Sequence, residues 1–301
     1  MAARSPRLIA LLTVALLLGR AGTGASQSTA RAKQDNPQRD AARIVSLVPA
    51  LTEMLFAIGA GPQVVGVSSF DTFPPEVRAL PRVGALLDPD TERILTLRPT
   101  LVIVYGSQQD AAARFERAGI RTFSYRHGGI TTILATIREL GKVTGRNMEA
   151  ERVATELRAH IDAVHERVRG RPQPRTLLVI DREPGTLRSL YAAGGSTFMQ
   201  EMLDAAGGRN VFADVKRESV QPSHEALLER APDVILEVRA AGVGAKEGPD
   251  ARKAWSSLAS IPAVRNGRIT VLVGEHLVVP GPRLAQGVEA LARALHPEVF
   301  R

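Results

Sequence analysis

The sequence contains no cysteine. That excludes disulfides, thiolate metal sites, a cysteine nucleophile and a lipid-modified N-terminal cysteine. Aromatic residues make up only 4% of the chain, with one tryptophan, and no Lys/Arg cluster accompanies them. The stacking platforms and phosphate-tracking patches of nucleic-acid binding are missing, so no nucleic-acid partner is expected. Enzyme signatures are equally scarce. There is no Gly-x-Ser-x-Gly elbow and no phosphate-binding loop. Gly59-Ala60-Gly61 lacks the third glycine of a dinucleotide site and reads as a helix end. No catalytic residue, cofactor or resident metal is assigned, and the chain is read as a non-enzyme.

What is present describes a globular protein with a leader. At 301 residues, with 44% hydrophobic and 23% charged residues, the chain can fill about two domains. Arg4 and Arg7 precede an apolar run, Leu8 to Leu18, that is too short to span a bilayer. Thr23-Gly24-Ala25 then offers small residues for cleavage. Residues 1–25 are therefore expected to be a cleaved signal peptide for export, and 26–42 a flexible polar leader. Removing 1–25 takes away Arg4, Arg7 and Arg20 and no acid, so the net charge of +8 becomes +5.

The centre of the chain carries the strongest periodicity. Ile133, Ile137, Leu140 and Val143 step by three or four. After Gly145, Val153, Leu157, Ile161, Val164 and Val168 do the same. This spacing gathers the apolar side chains on one helical face, while Arg158 and Asp162 pair on the other. The segment 131–170 is predicted to be helical, broken at Gly145, capped at Asn147 and closed by Gly170 and Pro172. Its second part would be about 34 Å long.

Strands and helices alternate on either side. Arg43–Val48, Val64–Ser68, Leu101–Tyr105 and Arg121–Tyr125 read as strands. Helices are expected from Glu53, capped by Thr52, from Thr91 to Leu97, and over Ala111–Ala118. After the central segment, Thr176–Ile180, Val234–Val238 and Arg268–Val273 read as strands. Thr197–Ala206, a helix capped by Ser223, a turn at Trp255–Leu258, and Leu284–Leu295 read as helices. The alternation predicts an α/β fold of mostly parallel sheets.

The two halves share local sequence. Glu53-Met54-Leu55-Phe56-Ala57-Ile58-Gly59 resembles Glu201-Met202-Leu203-Asp204-Ala205-Ala206-Gly207. Glu92 and Pro99 stand 133 residues before Glu225 and Pro232. The expected organisation is an N-terminal lobe, 43–130, the bridging helical segment, 131–170, and a C-terminal lobe, 171–301. A ligand cleft is expected between the lobes. His127 and His276 fall in loops after strands, where cleft residues sit. Each is either a ligand contact or a polar loop residue. His160 and His165, five apart, lie on different helix faces and make poor joint metal ligands. Glu92 and Glu225 each follow a capping residue at a helix start. The helix dipole accounts for an acid there, but not for the same placement in both halves. A matched pair of surface carboxylates suits a symmetric partner carrying arginines.

Several stretches together resemble a known family. They are RIVSLVPALTE (43–53), VVGVSSFDTFPPEV (64–77), ERILTLRPTLVIV (92–104), GGRNVF (207–212) and HEALLERAPDVILE (224–237). In this order they resemble the periplasmic substrate-binding proteins of ABC transporters, of the class with a helical backbone. These take up cobalamin, haem or ferric siderophores, and the likeness is strongest to the B12-binding members. The resemblance implies two α/β lobes joined by a single long helix, with a small closure rather than a wide swing. It implies docking on an ABC permease with its ATPase subunits through Glu92 and Glu225. It further implies a ligand site at Pro49, Phe70, Tyr105, Tyr191 and Glu275, to which His276 is added as a group suited to haem or an iron chelate. Two tryptophans of the B12-binding members correspond to Leu86 and Ser219, so this cleft is less aromatic. The expected cargo is a corrinoid or another iron or cobalt chelate, with haem or a ferric siderophore as the alternative, and the receptor is expected to be a monomer. A receptor for bare zinc or manganese would need more converging histidines, and a secreted hydrolase would need a nucleophile.

Overall fold

The computed structural model describes residues 42–86, 88–241 and 249–301. The expected signal peptide and the leader up to residue 41 lie outside the described residues.

The first lobe contains β1 (Ile44–Ser46), α1 (Pro49–Ala57), β2 (Val64–Val67), α2 (Thr91–Thr96), β3 (Leu101–Tyr105), α3 (Gln109–Arg117) and β4 (Arg121–Tyr125). Its strands form one parallel sheet in the order β2-β1-β3-β4. Two helices follow, α4 (Ile130–Thr144) and α5 (Asn147–Val168). The second lobe begins with β5 (Arg175–Asp181), β6 (Tyr191–Ala193), α6 (Phe198–Ala205), β7 (Arg209–Asn210) and β8 (Ser219–Val220). It continues with α7 (His224–Arg230), β9 (Val234–Arg239), α8 (Pro249–Trp255), α9 (Pro262–Arg265), β10 (Ile269–Val273) and α10 (Leu284–Leu295). The second sheet runs β10-β9-β5-β6-β8, with β7 beside β5. β10, β9, β5 and β7 are parallel, whereas β6 runs antiparallel to both of its neighbours. The mixed half of this sheet was not expected: β6, β7 and β8 are two or three residues long, too short to show a period in the sequence.

The central segment breaks at Gly145 as expected, with φ +72. The two helices fold back on each other. A Cβ on Gly141 would lie 2.4 Å from that of Ala150, so the hairpin closes where both residues are small. Arg138 bonds Glu151 through Nε at 2.7 Å and through a second nitrogen at 3.0 Å. The joint between the lobes is therefore a pair of helices rather than the single long helix expected: α4 packs on α1 of the first lobe, α5 on α10 of the second, and the two pack on each other. Ala150, Ala154, Leu157, Ile161, Val164 and Val168 form the buried stripe of α5. The Arg158–Asp162 pair lies outside at 3.9 Å, where such pairs contribute only about 0.3–0.5 kcal/mol.

Three expected caps move. Pro49 stops β1 by starting α1, in the first helical turn where its missing N–H costs nothing. Thr52 lies inside that helix, donating to Ser46 Oγ at 2.9 Å. Asp90 rather than Thr91 caps α2, accepting from Arg93 N at 2.9 Å. Arg146 precedes α5, so Asn147 is its first helical residue. Ser223 caps α7 as expected, accepting from Ala226 N at 3.1 Å.

One apolar core runs from Ile44, Leu51 and Ile103 through Ile133, Ile137, Leu157 and Ile161 to Leu203, Leu236 and Leu291. Two smaller cores cover the outer sheet faces, one around Val102 and Phe115 and the other around Ile235 and Trp255. Glu237 of β9 is buried among the latter. It accepts from Arg182 at 2.9 and 3.0 Å, Trp255 Nε1 at 2.8 Å and Arg239 at 2.7 Å. Burial alone would raise its pKa. The hydrogen bonds and charges of these partners outweigh that and hold it below the ordinary 4.5. Its contribution is therefore complete above pH 4.5 and lost as pH falls through the depressed value. Glu237→Ala leaves two arginines without their acceptor. It should cost about 3–5 kcal/mol in urea unfolding at pH 7, with the deficit shrinking below pH 4.5.

Candidate functional site

In a parallel sheet, chain segments leaving the C-terminal strand ends crowd one edge, and ligands bind there. The six expected ligand residues all occupy such positions. Pro49 follows β1, Phe70 follows β2 and Tyr105 ends β3. Tyr191 opens β6 opposite Asp181 at the end of β5. Glu275 and His276 form the turn after β10. The edges of the two lobes meet at several points. Arg283 bonds Glu53 at 2.9 and 2.5 Å and stacks 3.9 Å over the Phe73 ring. Ile130 N donates to Glu201 at 2.7 Å, and the charge of Glu218 acts on His127.

Phe70 is pushed outward by the loop that carries it. Ser68 Oγ donates to Asp71 at 2.6 Å and accepts from Phe70 N at 3.2 Å. Arg82 donates to the carbonyls of Ser68 and Asp71 at 2.9 and 2.7 Å. This polar network is buried, and Asp71 Oδ1 has no partner within it. Burial accordingly raises the Asp71 pKa against the pull of Ser68 and Thr52. With Ser68 and Asp71 turned inward, Phe70 stands 67% exposed. Tyr191 is also exposed.

The structure gathers three rings at the ends of β3 and β4. Tyr105 lies 6.2 Å from Tyr125 and 4.9 Å from His127, and Tyr125 lies 5.3 Å from His127, measured between ring centres. His127 Nδ1 is 3.4 Å from the Tyr125 hydroxyl. Gln108 fixes the end of β3, accepting from Tyr105 N at 2.7 Å and donating to the Leu86 carbonyl. Surrounding protein lowers the His127 pKa, with Glu218 acting the other way. Burial and then Arg283 lower that of His276, against Glu275. Both imidazoles are therefore held toward the neutral form, in which each ring offers one N–H donor and one acceptor nitrogen. Burial, then Tyr105, raises the pKa of Tyr125, keeping its hydroxyl protonated.

The structure sets His127 beside Tyr105 and Tyr125 at the ends of β3 and β4. Tyr125 was hidden inside a strand, since nothing in RTFSY says which side chain ends beside a histidine. Arg283 also carried no sequence signal, and Asp71 and Phe73 were marked only as part of a turn-like stretch. No described contact joins His276 to the Tyr105 cluster, so these expected contacts form two groups. Glu92 and Glu225 are both exposed. The histidines of α5 point apart as expected, His160 toward Glu289 at 3.5 Å and His165 into solvent. Among the described residues, no group of three His, Asp or Glu side chains is arranged to hold a metal ion.

The profile of the family described as periplasmic binding protein matches residues 44–275. The chain belongs to that family. The binding protein is 28% identical over 316 aligned positions to an uncharacterized ABC transporter substrate-binding lipoprotein, YvrC, of Bacillus subtilis, covering 97% of each chain. It is 30% identical over 203 positions to a vitamin B12-binding protein of Yersinia pestis, covering 66% of this chain and 70% of that one. A periplasmic haem-binding protein from Pseudomonas aeruginosa superposes with a TM-score of 0.69 at 30% identity, covering 85% and 92% of the two chains. These are solute-binding proteins, not enzymes. The binding protein is thus of the ABC-transporter class that the sequence resembled, with its two-lobe fold. No described helix is long and apolar enough to cross a membrane.

The Glu53–Arg283 contact ties α1 of the first lobe to the loop before α10 of the second. Burial raises the Glu53 pKa despite Arg283, with Glu275 and Asp71 adding to the rise. Desolvation thus exceeds the attraction, and the two partners are not equivalent. Arg283→Met strands a buried carboxylate and should cost about 3–5 kcal/mol at pH 7, whereas Glu53→Gln should stay within about 1 kcal/mol. Because protonated Glu53 needs no partner, the Arg283→Met deficit should shrink as pH falls through its raised pKa. Thermal melts of both variants between pH 4 and 8 measure this.

Proposed function

We propose that the protein captures a corrinoid in the gap between its lobes and delivers it to an ABC permease. The observation carrying this reading is the Tyr105–Tyr125–His127 cluster at one sheet edge, with Phe70 and Tyr191 exposed at edge positions of the two lobes. Ring faces and aliphatic edges suit a large planar macrocycle. Neutral imidazoles at His127 and His276 suit its polar rim or its metal. The identity to a vitamin B12-binding protein and the likeness to a haem-binding protein support a macrocyclic cargo.

Haem is the second reading, favoured by the phenol and imidazole groups set side by side at Tyr125 and His127. An absorption titration of the purified protein with cyanocobalamin and with haemin separates the two. The first reading expects saturable binding of the corrinoid and none of haemin, and the second the reverse. Binding of neither would remove both. For the bound chelate, Tyr105→Ala and His127→Ala should each weaken affinity about ten-fold, the equivalent of about 1.4 kcal/mol per lost ring contact.

Delivery rests on Glu92 and Glu225. Both acids are exposed, and neither has an ion pair or side-chain hydrogen bond among the described residues, so both are available to cations on a partner. Two lobes joined by a packed pair of helices favour a small closure around the cargo over a wide hinge. Charge reversal at both positions, Glu92→Arg with Glu225→Arg, should abolish uptake in whole cells while leaving chelate affinity unchanged. Unchanged uptake would remove the docking role.

A further inference from the structure

Large apolar side chains exposed among the described residues are Phe70, Phe73, Leu95, Met148, Tyr191 and Leu228. Phe70, Phe73 and Tyr191 belong to the cleft edges. Leu95 and Leu228 do not. They sit on α2 and α7, 41% and 43% exposed, and each lies three residues after an exposed acid, Glu92 or Glu225. Residues three apart share one face of a helix. The residue before each leucine, Ile94 or Leu227, is buried and roots its helix in the core. Each short helix therefore seats one apolar side chain inward and shows the next outward beside a carboxylate.

A single exposed leucine needs no explanation. Here the same pair recurs in both lobes at the same spacing. The surface between has not been held alike: Arg93 faces Ala226 in the comparison, and Thr96 faces Glu229. What the two helices share on their outer faces is the acid and the leucine. Neither acid has an ion pair or side-chain hydrogen bond among the described residues.

We propose that docking uses two matched acid–leucine pairs, Glu92 with Leu95 and Glu225 with Leu228, each received by a cation beside an apolar socket on one half of a two-fold membrane partner. The inference rests on the docking role given to the two glutamates and adds the apolar half of the contact. The acids steer the approach and fix orientation, a contribution that salt weakens. The leucines lose water only once seated, a contribution that salt does not weaken.

The test is surface plasmon resonance of the chelate-loaded protein on its transporter's permease–ATPase complex in nanodiscs, across a range of salt concentrations. Leu95→Asn with Leu228→Asn should weaken binding about ten-fold for each leucine, mainly through faster dissociation, with the salt dependence unchanged. Leu95→Ala with Leu228→Ala should weaken it less, in the same direction, and guards against a folding defect from the polar replacement. Glu92→Gln with Glu225→Gln should slow association and flatten the salt dependence. If both leucine variants bind as the parent does while the glutamine variant is weakened, the apolar half is overturned and docking through the acids stands. If the glutamine variant also binds as the parent does, the docking role falls with it.

Discussion

Everything in this molecule hangs on the apolar face shared by α4 and α5. The two helices close on each other at Gly141 and Ala150, where a larger side chain would collide. Their buried stripes, Ile133, Ile137 and Leu140 on one side and Leu157, Ile161 and Val164 on the other, continue the cores of both lobes. Interiors pack as densely as organic crystals, so a shared core of this kind transmits position rather than absorbing it. The lobes are consequently fixed by packing on the helices, and Glu53 with Arg283 adds a direct tie near the cleft. A short polar contact across an otherwise apolar junction sets register more than it adds stability.

Topology then decides where chemistry collects. Parallel strands send every crossover to the same edge. The first sheet delivers Pro49, Phe70, Tyr105 and His127 to that edge, and the second delivers Tyr191, Glu275 and His276. Local devices finish the arrangement. Ser68 and Asp71 turn inward and bond each other in the loop after β2, Arg82 holds their carbonyls, and Phe70 is left exposed. Gln108 holds the end of β3 to the segment at Leu86, steadying the ring beside His127. The helices opening at Glu92 and Glu225 stand apart from this work, which is why their exposed side chains are free to meet something else.

Much of the fold was readable in one dimension. LVIVY is a strand because an unbroken apolar run of that length is buried on both faces, and VILEV is one because its apolar residues flank a single paired acid, Glu237; they occupy β3 and β9 almost residue for residue. The closing helix Leu284–Leu295 was read with both ends correct because its period is strong. Caps were less legible. Asp90, Thr91 and Glu92 are all acceptable helix-start residues, and only the geometry of the preceding loop selects Asp90. The site was legible as positions along the chain but not as a constellation. Tyr125 and Arg283 have no local mark, because their partners lie on other elements.

The sequence by itself determined the alternation of strands and helices, the break at Gly145, the family, and the candidate acids at 92 and 225. Each of these depends on neighbours within a few turns of the chain or on an ordered set of short motifs. The tertiary structure alone decided that α4 folds back along α5, that the second sheet is mixed, and that Tyr105, Tyr125 and His127 form one cluster. It also decided that Leu95 and Leu228 face outward while Ile94 and Leu227 face in. Those outcomes are set by contacts between side chains on different elements, and hydrophobic periodicity records only which residues seek burial, not which partners they find.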